Sequence, residues 1–487
     1  MNSQKIIIIG AGPTGLGCAY RLKELGHNPK KFRIYERNDY AGGLAHTFQD
    51  EKGFRWDVGG HVYFSHYEYF DKLYEKLMKG DYQENDRISY VRIQGTWVPY
   101  PFQNNLRYLP PKVRKECFDG LVKANRDGSD SPKTAKNFGE FIDRVFGEGI
   151  CKWFMRPYNF KVWAHKPETM NKEWIGERVA IIDVERARRN IEEGKDDFGW
   201  GPNNRFKYNL LGSGQFQDRL ADEVKENIEY KYQVEYVDFA SKSVAFEKTD
   251  TFGQIIEEYD SLVTTIPLDV LILDKLFGDV PESVKASAEM LRRSTTYVIG
   301  VGFRGKLERN WSWMYYPEDN APFYRVTYLS NYSPKMTPRA EGEYPSGFSS
   351  FGLKNPDGFF SCLCEVSLSG HKMEDENTIV ERTIEGLFKT DTVPEKFRES
   401  IVDVWFRKEL YGYPIPSVER DSALNVILPW LHSHNIYSRG RFGLWKYEVA
   451  NTDHSVMQGV ECANMLVNGE PETTIGIKYE VTETGRK

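Results

Sequence analysis

The 487-residue sequence predicts an α/β protein: one doubly wound nucleotide-binding domain, interrupted by a helical segment and by a set of antiparallel strands. Three observations carry this expectation. Residues 5 to 36 form a strand, turn, helix, strand unit around Gly10-x-Gly12-x-x-Gly15. Residues 104 to about 200 change to helical spacing with a heavy load of aromatic residues. Later, Tyr297, Ile299, Val301 and Phe303 fall on one face of an alternating run, as in an antiparallel strand.

The glycine unit has a physical logic at every position. Gly10 allows the tight turn, Gly12 lets backbone approach a pyrophosphate, and Gly15 lets helix pack on strand. Glu36 ends the second strand 21 residues past Gly15, where it can accept from a ribose hydroxyl, and it argues against a phosphorylated ribose. The helix N-terminus offers free N–H groups to the phosphates. Gly42-Gly43-Leu44 and Asp57-Val58-Gly59-Gly60-His61 follow. Paired glycines there fit a second close approach to a long cofactor, so the domain reads as Rossmann-like and FAD is favoured over NAD. His61, on a glycine-flanked loop, could serve proton transfer near neutral pH. A buried histidine bonded to backbone is the alternative, and both stay open; His66 is expected to be structural.

Charge and composition exclude several classes. The net charge is −6 without long blocks of one sign, which is no nucleic-acid footprint. Six cysteines lack CxxC or zinc-finger spacing and read as a reduced thiol set, with Cys362 and Cys364 filling core on one side of a strand. No basic, apolar and small-residue leader opens the chain, and no window reaches the roughly 18 to 20 apolar residues of a membrane helix. The cytoplasm is the default expectation, and oligomeric state stays open.

Further along, Arg87 to Gln103 reads as two strands around Gln94-Gly95, the second confined to an edge by Pro99 and Pro101. Pro110-Pro111 opens a helix carrying Val113, Cys117 and Leu121; Asn137 caps another with Glu140 at its third position. Phe154 to Trp163, FMRPYNFKVW, packs Arg156, Tyr158, Asn159, Lys161 and Trp163 into ten residues and suggests a ligand-facing wall, with a core segment as the alternative. Trp174 to Arg178 and Trp200 to Asn203 add an Arg and an Asn beside tryptophans. Gly212 to Gly214 enters a helix, and Ser261 to Thr265 is a strand ending at a crevice. Gly300 to Gly305 formally repeats GxGxxG, but no helical period follows, so it reads as a turn between strands and not a second nucleotide domain. Pro334 to Gly347 reads as a surface loop, and Asp453-His454-Ser455 starts a late helix running through Gly459. The expected division is therefore an FAD-binding domain from 1–80, 203–290 and 425–487, a helical-bundle insertion at 105–202, and an antiparallel β-sheet domain from 81–104 and 291–424.

DVGGHVYFSHYEYFD, RISYVR, WVPYPFQNN, FMRPYNFKVWA, WGPN, YYPEDNAPFYR, GYPIP and YSRGRFGLWKYEVANTDHS occur in this order along nearly the whole chain. Together they closely resemble the eukaryotic UDP-galactopyranose mutases. The resemblance implies interconversion of UDP-galactopyranose and UDP-galactofuranose on reduced FAD, without net redox change. It implies that Arg178 and Arg325 clamp the UDP diphosphate with Tyr413 and Tyr447 beside them, and that Tyr100, Gln103 and Phe154 form the uridine pocket. Asn159 and Trp163 then lie near nucleotide and sugar, and Arg87, Asn203, Tyr315 and Asn451 near the sugar. His61 is the histidine of a mobile loop against the flavin. The FAD frame comprises Gly10, Gly12, Thr14, Gly15, Glu36, Gly43, Leu44, Gly60, His61, Val234, Arg441, Asn451, Asp453 and Ser455. Tyr63 and Ser213 are peripheral departures.

The family's reduced flavin attacks the sugar and expels UDP, so the protein's own part is orientation and electrostatics. NADPH is the reductant implied, and no metal is expected. Two other classes compete: amine oxidases and carotenoid desaturases, which need no arginine pair for a diphosphate, and a UDP-sugar binding module, which needs no redox-active flavin.

Overall fold

The computed structural model describes residues 3–126, 132–198, 204–338 and 358–477. Its organising layer is a five-stranded parallel sheet in the order Ile436–Ser438, Ser261–Thr264, Ile6–Ile9, Phe32–Glu36, Ile228–Tyr230. Both faces of such a sheet must be covered, and all four residues of Ile6–Ile9 are buried. The helices Pro13–Glu24, Gly214–Glu223 and Thr452–Asn468 contribute to the cluster holding Ile6 and Ile8 on one face; Ile7 and Ile9 pack with the helix Arg420–Ser433 on the other. The order of connection reverses at the central strand, since the chain from Ile6–Ile9 goes to one neighbour and returns much later to the other. The crevice at its carboxyl end is where such sheets take ligands.

A second, seven-stranded sheet runs in the order Ile401–Ile415, Arg292–Arg304, Phe359–Leu368, Arg325–Tyr328, Trp313–Tyr315, Ser89–Ile93, Thr96–Pro99. Its pairings are antiparallel except for Trp313–Tyr315 beside Ser89–Ile93. Thr96–Pro99 lies at the edge, where Pro99 sacrifices no inner ladder bond. The fold is thus the mixed α/β architecture expected from the sequence.

The Gly300 to Gly305 segment corrects one expectation. Gly300 and Gly302 are not in a turn: they sit inside the 13-residue strand Arg292–Arg304, and only Gly305 leaves it, at φ +113°. A Cβ at Gly300 would meet the Trp56 ring at 2.5 Å, and one at Gly302 the Phe54 ring at 2.6 Å. These glycines make room for two aromatic rings lying across the strand, a reason invisible in the motif itself.

The helical region contains Pro111–Arg126, Phe138–Ile150, Arg156–Trp163 and Val184–Glu192. Asn137 Oδ1 accepts from the Glu140 N–H at 2.9 Å, and Phe138, Phe141, Ile142, Val145 and Phe146 are all buried in one cluster. All six cysteines are free and buried, with Cys362 and Cys364 in the core beside the seven-stranded sheet. Among the described residues, no helix is long and apolar enough to cross a membrane. The late helix is Thr452–Asn468, two turns longer than its motif suggested. Trp200 to Asn203, and residues 339–347 of the expected surface loop, lie outside the described residues; Pro334–Met336 is a short 3₁₀ turn whose Met336 is buried.

Candidate active site

At the carboxyl end of Ile6–Ile9, Gly10 adopts φ +97° and its N–H donates to the Tyr35 carbonyl at 2.8 Å. A Cβ at Gly15 would lie 1.9 Å from the Gly10 carbonyl oxygen, so helix and turn touch there. Gly12, by contrast, has nothing within 4 Å of its missing Cβ. The helix Pro13–Glu24 begins at Gly12 and the helix Thr452–Asn468 at Asn451, neither with a side-chain cap. Their first N–H groups are therefore left to a ligand or solvent. The second glycine pair comes close, because a Cβ at Gly43 would sit 3.5 Å from Gly12 Cα and the Gly42 N–H donates to the Ala11 carbonyl. Open space at Gly12, a second glycine turn facing it and two uncapped helix ends fit the diphosphate of an extended dinucleotide such as FAD.

Several frame residues do structural duty there as well. Glu36 is buried; its Oε2 accepts from the Ala11 N–H at 2.8 Å and its Oε1 from the Asn38 N–H and amide. It braces the glycine turn, with further lone pairs available to a ribose. Thr14 is buried against Gly440 and Gly459, while Leu44 and Val234 pack in one apolar cluster. Ser455 is buried in the first turn of the late helix. The Asp453 carboxylate accepts from His66 Nδ1 at 2.8 Å and from His454 Nδ1 at 3.0 Å. Burial would raise this carboxyl, but the two histidines hold it below its usual range. His66, as expected, makes a structural contact: it ties its loop to the late helix.

Beside this crevice opens a cleft of about 310 Å³. It gathers Arg87, Tyr100, Gln103, Phe154, Asn159, Trp163, Arg178, Tyr315, Arg325, Tyr413, Tyr447 and Asn451 with Gly60 and His61, which are spread over nearly 400 residues of sequence. Asn203 lies outside the described residues. A π-helical turn, Cys151–Met155, precedes the helix Arg156–Trp163. It brings Phe154, Tyr158, Asn159 and Trp163 to the cleft. Arg156 and Lys161 point elsewhere, so the polar wall is narrower than its sequence suggested. Arg156 pairs with Asp143 at 2.7 Å and with Glu168. Lys161, buried, donates to the Glu318 and Ala321 carbonyls at 2.9 and 2.8 Å, and burial pulls it down to about 7.

The apolar end of the cleft stacks Phe102 on Phe154 and Phe154 on Tyr158. Gln103 stands beside them; its amide donates to the Ala180 carbonyl, while its Oε1 is buried without a hydrogen-bond partner among the described residues. A buried orphan acceptor costs about 1 to 3 kcal/mol until something satisfies it. The cationic part holds Arg178, whose Nη2 donates to the Glu448 carbonyl at 2.7 Å and whose guanidinium lies 5.2 Å over the Tyr447 ring. Arg325 is gripped on one edge: Nε and Nη2 donate to the two oxygens of Glu365 at 2.7 and 2.8 Å. Arg87 donates to Asn204 Oδ1 at 3.0 Å and lies over Tyr100. Arg441 donates to the Gly412 carbonyl and lies 5.1 Å from the centre of Tyr413.

For His61 the electrostatics bear on the two readings left open. Burial first, then the nearby Arg441 and Arg325, push its imidazole down to about 4 against the opposing pull of Glu365. A ring held this low favours the hydrogen-bonding alternative over the near-neutral proton carrier. A linkage effect follows. The unfolded histidine takes a proton near 6.5 and the folded one only near 4, so stability falls as pH drops through that window. Melting temperature against pH should therefore slope less between pH 6.5 and 4 in His61→Gln than in the parent; equal slopes would show that this ring is not shielded.

Glu365 and Tyr324 escaped the sequence reading. Glu365 is 2% exposed in the middle of the strand Phe359–Leu368, where a lone acid in an apolar run signals a buried cationic partner. Tyr324 lines the cleft and donates to Glu365 Oε2 at 2.7 Å, but its place beside Arg325 gave no hint of direction.

Fold and site together define a flavin-dependent enzyme with an arginine- and tyrosine-lined cleft against its cofactor crevice. The family model described as flavin containing amine oxidoreductase matches residues 13–334. A crystal structure of reduced UDP-galactopyranose mutase is 40% identical, covers 97% of both chains and superposes with a TM-score of 0.88. Cyclohexylamine oxidase from Brevibacterium oxydans, at 13% identity and TM-score 0.61 over 95% of this chain and 98% of its own, shares the fold alone. A protein described as "Probable UDP-galactopyranose mutase" of Klebsiella pneumoniae is 28% identical over 35% of this chain, and 15-cis-phytoene desaturase of Synechococcus elongatus 37% identical over 15%. Those matched segments span 44% and 15% of the two curated relatives. The chain belongs to the flavin containing amine oxidoreductase family and, within it, to the UDP-galactopyranose mutases.

Proposed function

We propose that the protein interconverts UDP-galactopyranose and UDP-galactofuranose, working on FAD in its reduced form and supplying UDP-galactofuranose for glycan synthesis. The observation that carries this is the cleft itself. Arg178, Arg325, Tyr413 and Tyr447 line a nucleotide-sized pocket that shares Gly60, His61 and Asn451 with the expected cofactor frame. Reduced FAD, when bound, supplies the nucleophile, by the route through a covalent sugar adduct that the family resemblance implies. NADPH is proposed as the reductant and the cytoplasm as the place of work.

The chain's own residues do the rest. Arg178 and Arg325 offer charge-assisted donors to the diphosphate, and keep the departing UDP in place while its bond to the sugar is broken. The orphan Gln103 Oε1 can accept from the uracil N–H, with Phe154 beside the ring. Asn159 is already committed, donating to the Met155 carbonyl at 2.7 Å and accepting from Trp163 Nε1 at 3.3 Å, so it fixes the indole that walls the sugar side. His61, neutral, can donate or accept a hydrogen bond at the cofactor face without adding charge. An oxidase reading has no use for this donor set.

A binding comparison tests the nucleotide assignment. UDP should bind at least tenfold more tightly than UMP, because the second phosphate reaches the arginine pair. Equal affinities would remove the diphosphate from the reading.

A further inference from the structure

The loop carrying His61 rests on the same carboxylate that holds Arg325. Glu365 Oε1 accepts from the Gly60 N–H at 3.1 Å while also receiving Arg325 Nε; Oε2 accepts from Arg325 Nη2 and the Tyr324 hydroxyl. Burial, the largest influence, would raise this carboxyl, but Arg325, Tyr324 and Gly60 together outweigh it and hold it below its ordinary value. Packing repeats the connection. A Cβ at Gly60 would lie 3.1 Å from Thr327 Oγ1 and 3.3 Å from Arg325 Nη2, and one at Gly59, where φ is +96°, 3.4 Å from Glu365 Oε2. No other acid is hydrogen-bonded to Arg325 among the described residues.

We propose that Glu365 is a positioning residue which couples the anion-binding arginine to the His61 loop. With Nε and Nη2 fixed by Glu365, Arg325 presents its remaining donors to the cleft in one orientation. An anion that draws on the same guanidinium shares its charge with Glu365 and so changes the grip on the Gly60 N–H. By reciprocity, any displacement of the loop changes anion affinity by the same factor. Occupancy of the diphosphate site is thereby reported to the cofactor face through two hydrogen bonds. This rests on the assignment of Arg325 to a diphosphate, although the link between Arg325 and the loop does not.

The test uses the holoenzyme, UDP as probe, and amide hydrogen exchange of the segment 58–62. In the parent, UDP slows exchange there. Glu365→Gln keeps the shape and loses the charge; it should speed exchange of the ligand-free segment about tenfold, weaken UDP about fivefold or more, and abolish the UDP effect on the loop. Parent-like exchange and parent-like UDP affinity in this variant overturn the proposal. Should Glu365→Gln fail to fold, Arg325→Lys keeps the charge but loses the two-bond fork, and it too must speed exchange at Gly60; unchanged exchange overturns the coupling. Failure of the parent to bind UDP contradicts the diphosphate assignment instead, and the ligand-free comparison still decides the role of Glu365.

Discussion

Arg178→Ala is expected to lower kcat/KM by on the order of a hundredfold, about 2.7 kcal/mol, while retaining bound flavin and normal stability. Its Nη2 donates to the Glu448 main-chain carbonyl, a neutral acceptor. Arg325→Ala should lose as much activity but behave differently in the fold. It strands Glu365, 2% exposed, without its cation, and removing one partner of a buried pair costs about 3 to 5 kcal/mol. The stranded carboxyl then gains a raised pKa, so the penalty grows with pH above the ordinary carboxylate range. Arg325→Ala/Glu365→Gln should recover much of the stability and none of the activity. Steady-state rates and melting temperatures over pH 5 to 8 separate these outcomes. Parent-like rates in both single variants would remove the clamp from the mechanism.

Gly459→Ala is expected to destabilise the protein by about 3 kcal/mol and to strip it of flavin. The two helices with uncapped N-termini, Pro13–Glu24 and Thr452–Asn468, cross in backbone contact. A methyl at Gly459 would lie 2.0 Å from the Thr14 carbonyl oxygen and 2.6 Å from the Cys18 nitrogen, and one at Gly17 2.5 Å from the Val456 carbonyl. None of those atoms can swing away as a side chain would. The helices must separate, and with them the N–H donors proposed to hold the FAD diphosphate. Gly253→Ala is the control, since nothing lies within 4 Å of its missing Cβ. Flavin absorbance per protein and the melting temperature read both variants; a yellow, parent-like Gly459→Ala would show that the helix crossing tolerates separation.

The nucleotide-binding half was legible because its signals are local. Gly10, Gly12, Gly15 and Glu36 act within one strand, helix, strand unit, and the spacing alone states the geometry. The cap at Asn137 and the apolar stripe of its helix were legible for the same reason. Contacts across the chain were not. Gly300 and Gly302 match a loop motif, yet they are strand residues because Trp56 and Phe54, some 240 residues earlier, occupy the space where side chains would be. The convergence of Arg178 and Arg325 in one cleft follows from a resemblance between sequences and not from any spacing. His61 lines the cleft, but its protonation depends on burial and on Arg441 and Arg325, which no local pattern reveals. Glu365 could have been suspected from its apolar strand, though its partners could not.

Turnover is the most direct test of the proposed chemistry. The purified yellow protein is given UDP-galactofuranose, with and without dithionite, and UDP-galactopyranose is followed by chromatography. Conversion confined to the reduced sample, with the flavin still reduced afterwards, is the result predicted. No conversion by a fully reduced protein that still binds UDP would contradict the mutase assignment and leave the fold and the nucleotide cleft in search of another UDP-sugar reaction.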